Sequence, residues 1–132
     1  MMKKRISYEC LLVNGPVKEK VKYKEIGDHY EVKGVHHISF EVEGKPMHIQ
    51  YDDTHVHLVN DQSVLHFNKD MRVPNKYTLP YGVVELHTKV ISLEYREGTM
   101  KFIYELCDQE HLVTKAYMMV HYSDIDEEGV PS

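Results

Sequence analysis

The sequence predicts an all-β fold, a closed or nearly closed antiparallel meander barrel of eight to ten strands. Three observations carry that prediction. The 132 residues include 16 Val, 7 Ile, 5 Thr and 10 Tyr against a single alanine, Ala116. β-Branched and aromatic side chains suit a pleated surface and lose rotamer freedom on a helix, which excludes a helical bundle. Apolar residues recur at period two along most of the chain, with Gly, Pro, Asn and Asp between the runs. The intervals are mostly short turns, which describe a meander better than the longer crossovers of a Greek-key sandwich. An open meander of this size leaves two bare edges, and closure into an up-and-down barrel removes them.

The elements follow in order. The first strand spans 3–13, with Ile6, Tyr8, Cys10 and Leu12 on one face, and Asn14-Gly15-Pro16 ends it. The second spans 17–26, where Val17, Val21 and Tyr23 alternate with lysines, and Gly27-Asp28 is read as its turn. A third run covers 29–43, with Gly34 read as a bulge or bend. Gly44-Lys45, Asp52-Asp53 and Asn60-Asp61 then separate short runs at 46–51, 54–59 and 62–69. The stretch 70–80 holds Pro74 and Pro80 and reads as a connecting loop. Three strands complete the set, at 81–95, 99–107 and 111–122, giving about nine. Residues 1–123 form one domain, large enough to bury a core without a disulfide or metal staple. Residues 124–132 are expected to be a frayed acidic tail.

Charge and composition set the context. Sixteen basic and 21 acidic residues give a net charge of −5, without the basic footprint of a nucleic-acid binder. Mean hydropathy is −0.49 and no apolar run approaches the ~18 residues of a membrane span. Lys3, Lys4 and Arg5 are not followed by an apolar signal segment. Cys10 and Cys107 match no metal or redox spacing and read as free thiols in a reducing cytoplasm. The expected location is cytoplasmic.

The segment Tyr77-Thr78-Leu79-Pro80-Tyr81-Gly82, running into Val84, Leu86 and Thr88, resembles a stretch of the YwiB-like family of small bacterial proteins of unknown function. The resemblance extends in outline to the long early strand pair, the middle block of short hairpins and the final hairpin. It implies a calycin-like, lipocalin-like closed barrel and a cytoplasmic bacterial protein, and it brings no catalytic residues. The His-rich middle hairpins do not belong to the resemblance. Ligand binding by other calycins is an analogy of fold alone.

Ten histidines are the unusual feature of the composition. If the three turns are two-residue turns, His48 faces His57 and His55 faces His66. Glu41 then faces His48, and Phe40 faces Ile49. On that reading Glu41, His48, Gln50, His55, His57 and His66 share the outer face, opposite Phe40, Val42, Met47, Ile49, Val56, Leu58 and Leu65. Imidazoles and a carboxylate on neighbouring strands could hold a divalent ion such as zinc. The same face could also be a pH-sensitive dimer contact or a plain solvated surface. In the doublet His36-His37, alternation sends His37 outward and His36 toward the core, hydrogen-bonded and half-buried.

No nucleophile elbow, P-loop, dinucleotide fingerprint or HExxH motif is present, so the reading leans away from an enzyme. Tyr8, Tyr23, Phe102, Tyr104 and Met118 fall on apolar-facing positions. They could line an interior pocket for a small apolar or amphipathic molecule. They could equally pack together, because a barrel of about eight strands is just wide enough for its own side chains. Interior ligand binding is the functional expectation. The alternatives are a homodimeric interaction module using the outer sheet face, and a metal-dependent enzyme at the histidines.

Overall fold

The computed structural model describes residues 2–60, 64–79, 81–108 and 111–125. Ten antiparallel strands follow one another: β1 (Met2–Asn14), β2 (Val17–Val32), β3 (Val35–Val42), β4 (Lys45–Tyr51), β5 (His55–Val59), β6 (Val64–Asn68), β7 (Val73–Leu79), β8 (Gly82–Arg96), β9 (Thr99–Asp108) and β10 (His111–Asp124). They hydrogen-bond in the order β6-β5-β4-β3-β2-β1-β10-β9-β8-β7. Every neighbour in space is a neighbour in sequence except β1 and β10, which join the two ends of the chain. No helix among the described residues is long and apolar enough to cross a membrane.

Two elements differ from the sequence expectation. Gly27-Asp28 is not a turn; β2 runs through it to Val32, and the hairpin closes at Lys33-Gly34, both with positive φ. Gly27 is needed for close approach instead: a Cβ there would lie 2.2 Å from the Ser39 carbonyl oxygen. The stretch 70–80 is not a loop, because β7 occupies Val73–Leu79 and pairs with β8. Pro74 is tolerated there because β7 has a ladder partner on one side only. Asp124 still belongs to β10 and pairs with Lys4, while residues 126–132 of the expected tail lie outside the described residues.

The interior is filled by side chains. Ile38, Ile49, Met100, Phe102, Ala116 and Val120 are fully buried. Phe67 packs edge-on against Phe102 and Tyr104, with ring centroids 4.9 and 4.7 Å apart. Residues of period two from nine of the ten strands meet here, which is why patterning carried most of the strand assignment.

Closure falls to side chains. β6 and β7 end the hydrogen-bonded order and share no ladder among the described residues. Asn75 on β7 stands in for one. Its Oδ1 accepts from the His66 backbone N–H at 2.7 Å, and its Nδ2 donates to the His66 carbonyl at 3.0 Å. The Thr88 hydroxyl donates to the same carbonyl at 2.6 Å. Asn75 and Thr88 are the only buried polar residues among those described.

Three substitutions test this account. Asn75→Ala strands the His66 N–H and leaves the His66 carbonyl to the Thr88 hydroxyl alone, and is expected to cost about 1–3 kcal/mol in chemical denaturation. Adding Thr88→Val should cost more than the two separate effects combined, because only the double change takes both donors from the His66 carbonyl. A cost below about 0.5 kcal/mol for Asn75→Ala would show that the barrel closes without it. Gly27→Ala is expected to destabilise by more than about 2 kcal/mol, since backbone atoms must move to admit the methyl group.

Candidate functional site

The five residues expected to line an interior pocket separate. Phe102, Tyr104 and Met118 are buried within the packed core. Tyr8 is also buried but borders a surface cleft, and its ring lies 5.4 Å from that of Phe40. Burial pushes the Tyr8 hydroxyl far above its ordinary range, so it stays a neutral donor. Tyr23 is half-buried, and its hydroxyl donates to Glu43 at 2.7 Å.

The cleft exists because β2 leaves β3. The two strands pair from Asp28↔Ser39 to Val32↔Val35 and not upstream, so Val17–Gly27 of β2 have no ladder toward β3. Gly27 stands at the end of this ladder, where no side chain would fit against the Ser39 backbone. Two adjoining hollows open along the gap. One, of about 300 Å³, is lined by Tyr8, Val21, Val42, Glu43, Lys45 and Met47, among others. The second, of about 420 Å³, shares Pro46, Met47 and Asn60 with the first and reaches Asp28, Ser39, Glu41 and His48. One end is therefore walled by half-buried apolar side chains and the other by hydrogen-bonding groups.

The histidine pairings expected from the sequence need correction. All four histidines and Glu41 do lie on the outer face, but every partner is displaced by two residues. His48 faces Val59 rather than His57; on its other side it faces Ser39 rather than Glu41, which faces Pro46. His57 faces His66, and His55 faces Asn68. The causes are in the turns. Glu43 and Gly44, with φ of 55° and 76°, form the turn that was expected at Gly44-Lys45. Residues 52–54 form a three-residue connection, in which Asp52 Oδ1 accepts from the Thr54 and His55 N–H groups at 2.9 and 2.8 Å. Of the third expected turn, Asn60-Asp61, Asp61 lies outside the described residues. An even displacement keeps each side chain on its face while changing its neighbour.

The histidines therefore form separate pairs. A His37 ring nitrogen lies 3.2 Å from His48 Nε2, and Ser39 Oγ lies 2.6 Å from His48 Nδ1. The His57 and His66 rings meet edge-to-face at 4.4 Å. Among the described residues, no three His, Cys, Asp or Glu side chains are placed to hold one metal ion. Burial, then the neighbouring imidazole, holds His48 and His57 below the usual histidine range.

A second histidine cluster lies inside the barrel at one end. His36 points inward, as alternation required, and stacks on Tyr51 at 4.8 Å. Its Nδ1 is 3.2 Å from His29 Nε2, and His29 stacks on Tyr122 at 4.1 Å. The Tyr51 and Tyr122 hydroxyls, 3.2 Å apart, close the ring of contacts. Tyr95 packs edge-on to His36 and Tyr51 and donates to Asp53, which pushes its hydroxyl up to about 12. Burial, then His36, holds His29 low, and its Nε2 lies at hydrogen-bond distance from the His36 ring. Sequence reading missed His29 because a turn at Gly27-Asp28 breaks the alternation that places it on the face of Val21 and Tyr23.

No family model and no curated protein matches the sequence. The fold does match a solved structure, the ywiB protein from Bacillus subtilis, with a TM-score of 0.70 over 92% of each chain at 14% identity. The chain shares the barrel architecture of that protein, as the Tyr77–Gly82 resemblance implied.

The depressed histidines make stability depend on pH with a definite sign. In the unfolded chain these rings titrate near about 6.5; in the fold they titrate lower. Their contribution is complete above about pH 6.5 and is lost as pH falls through the folded values. The thermal midpoint should hold between about pH 7 and 8 and fall below about 6. His29→Gln and His48→Gln should each flatten that acid limb, and an unchanged limb in both variants would contradict the assignment.

Proposed function

We propose that this barrel binds a small amphipathic molecule in the cleft between β2 and the β3–β4 hairpin, rather than at its centre. The observation that carries this reading is the interrupted ladder. Upstream of Gly27, β2 separates from β3, and the wall opens into two joined hollows. Their volumes fall within the range of small-molecule sites. The apolar part of the ligand would contact Tyr8, Val21, Val42 and Met47, and its polar head would meet Asp28, Ser39 and His48. Tyr23 holds Glu43 at the rim. Phe102, Tyr104 and Met118 support the wall from within rather than touching the ligand. The packed interior favours this placement over a central cavity.

Native mass spectrometry of protein purified from its source organism tests the proposal, together with titration by 1-anilinonaphthalene-8-sulfonate as an amphipathic probe. A bound small molecule, or saturable probe binding weakened at least roughly tenfold by Val21→Glu or Met47→Glu, is expected. Both side chains are only partly buried, so the variants should stay folded, which a thermal melt verifies. Probe binding equal in wild type and both variants, with no co-purified molecule, would remove the cleft from consideration.

A further inference from the structure

The outer face of the β1–β2 and β9–β10 hairpins carries charge opposite to that of the chain. The net charge is −5, yet Lys18, Lys20, Lys22 and Lys24 all stand exposed on one face of β2. At every second residue their ammonium groups recur about each 6.5–7 Å along the strand. Beside this ladder lies a groove of about 440 Å³, walled by Leu11, Ile103, Tyr117 and Met119. Cross-strand pairing makes it continuous: Lys20 faces Leu11, Leu11 faces Tyr117, and Tyr117 faces Ile103. In the adjacent row Lys22 faces Glu9, Glu9 faces Met119, and Met119 faces Lys101. Tyr117 and Met119 are 39% and 36% exposed, on a sheet face that would ordinarily be polar. Contiguous apolar surface rimmed by charge marks a contact site.

We propose that this face docks an acidic polypeptide segment. The segment lies extended along β2, with carboxylates at alternate residues to meet the lysine ladder, and seats one apolar side chain in the Leu11–Tyr117 groove. Charge complementarity selects this occupant. A second copy of the chain is disfavoured, because a two-fold contact sets the same patch against itself and brings lysines onto lysines. The face already holds one carboxylate in the proposed manner: Lys20 Nζ lies 2.8 Å from Glu9. That bond holds Glu9 below its ordinary range. None of the residues lining this groove lines the Tyr8 cleft, so the two readings stand or fall separately.

The test uses a fluorescein-labelled peptide of about ten residues, with glutamate at alternate positions and one central tryptophan, titrated by anisotropy against the full chain. Micromolar affinity is expected at low salt, falling several-fold as salt is raised toward 0.5 M. Lys20→Glu/Lys22→Glu should weaken binding more than roughly tenfold, and Tyr117→Ser several-fold, with a cooperative thermal melt retained because all three side chains are exposed. A peptide with glutamine for glutamate, or serine for tryptophan, should bind correspondingly less. Equal binding of the glutamine peptide, equal binding by the charge-reversed protein, or binding to phosphatidylglycerol vesicles without peptide binding would each overturn the proposal.

Discussion

The seam between β6 and β7 is where this barrel either closes or stays an open sheet. Every other adjacent strand pair is held by a backbone ladder, whose geometry repeats along the strand and tolerates local change. The seam depends instead on one amide side chain that presents an acceptor and a donor to the two backbone groups of His66. Thr88, on the next strand, secures the same carbonyl. Because both polar residues are buried, water cannot readily substitute for them. The core layers of Phe67, Phe102 and Tyr104 lie behind this closure, so specificity at the seam and apolar packing support each other.

A second constraint works in the opposite sense and opens the wall. Gly27 lets β3 come close to β2, and beyond that contact the strands separate. The packed centre and the open gap follow from the same geometry: the barrel is small enough for side chains to fill it, so concave space is left only where a ladder stops. This is why the aromatic residues on inward positions mostly serve as core, while those near the gap, Tyr8 and Tyr23, border solvent.

The histidines show what a count of residue types hides. Ten imidazoles suggest metal chemistry, yet most of them meet one another, a tyrosine ring or a hydroxyl, and His87 meets the Glu85 carboxylate. His29 and His36 are held between Tyr51 and Tyr122 inside the barrel, while His37 and His48 share an outer contact with Ser39. In both places a neutral imidazole supplies one donor and one acceptor, and protonation would place like charges side by side. The fold thus holds His29 and His48 below the ordinary histidine range and uses them as hydrogen-bonding aromatics.

From the sequence alone came the all-β class, the meander order, the inward and outward faces of most strands, and the outward placement of His48, His55, His57, His66 and Glu41. All of these rest on the period of two, which is local and survives any even error in pairing. Cross-strand partners were not legible, because they depend on turns whose length is set by backbone dihedrals and side-chain caps, as at Glu43-Gly44 and Asp52. β7 was missed because proline reads as a breaker until a sheet edge is known to be there. The close approach at Gly27, the stacked His29–His36 pair and the Asn75 seam all join residues on different strands. Only tertiary packing decides such contacts, because a glycine that admits a crossing strand has the same local signature as a glycine that turns the chain.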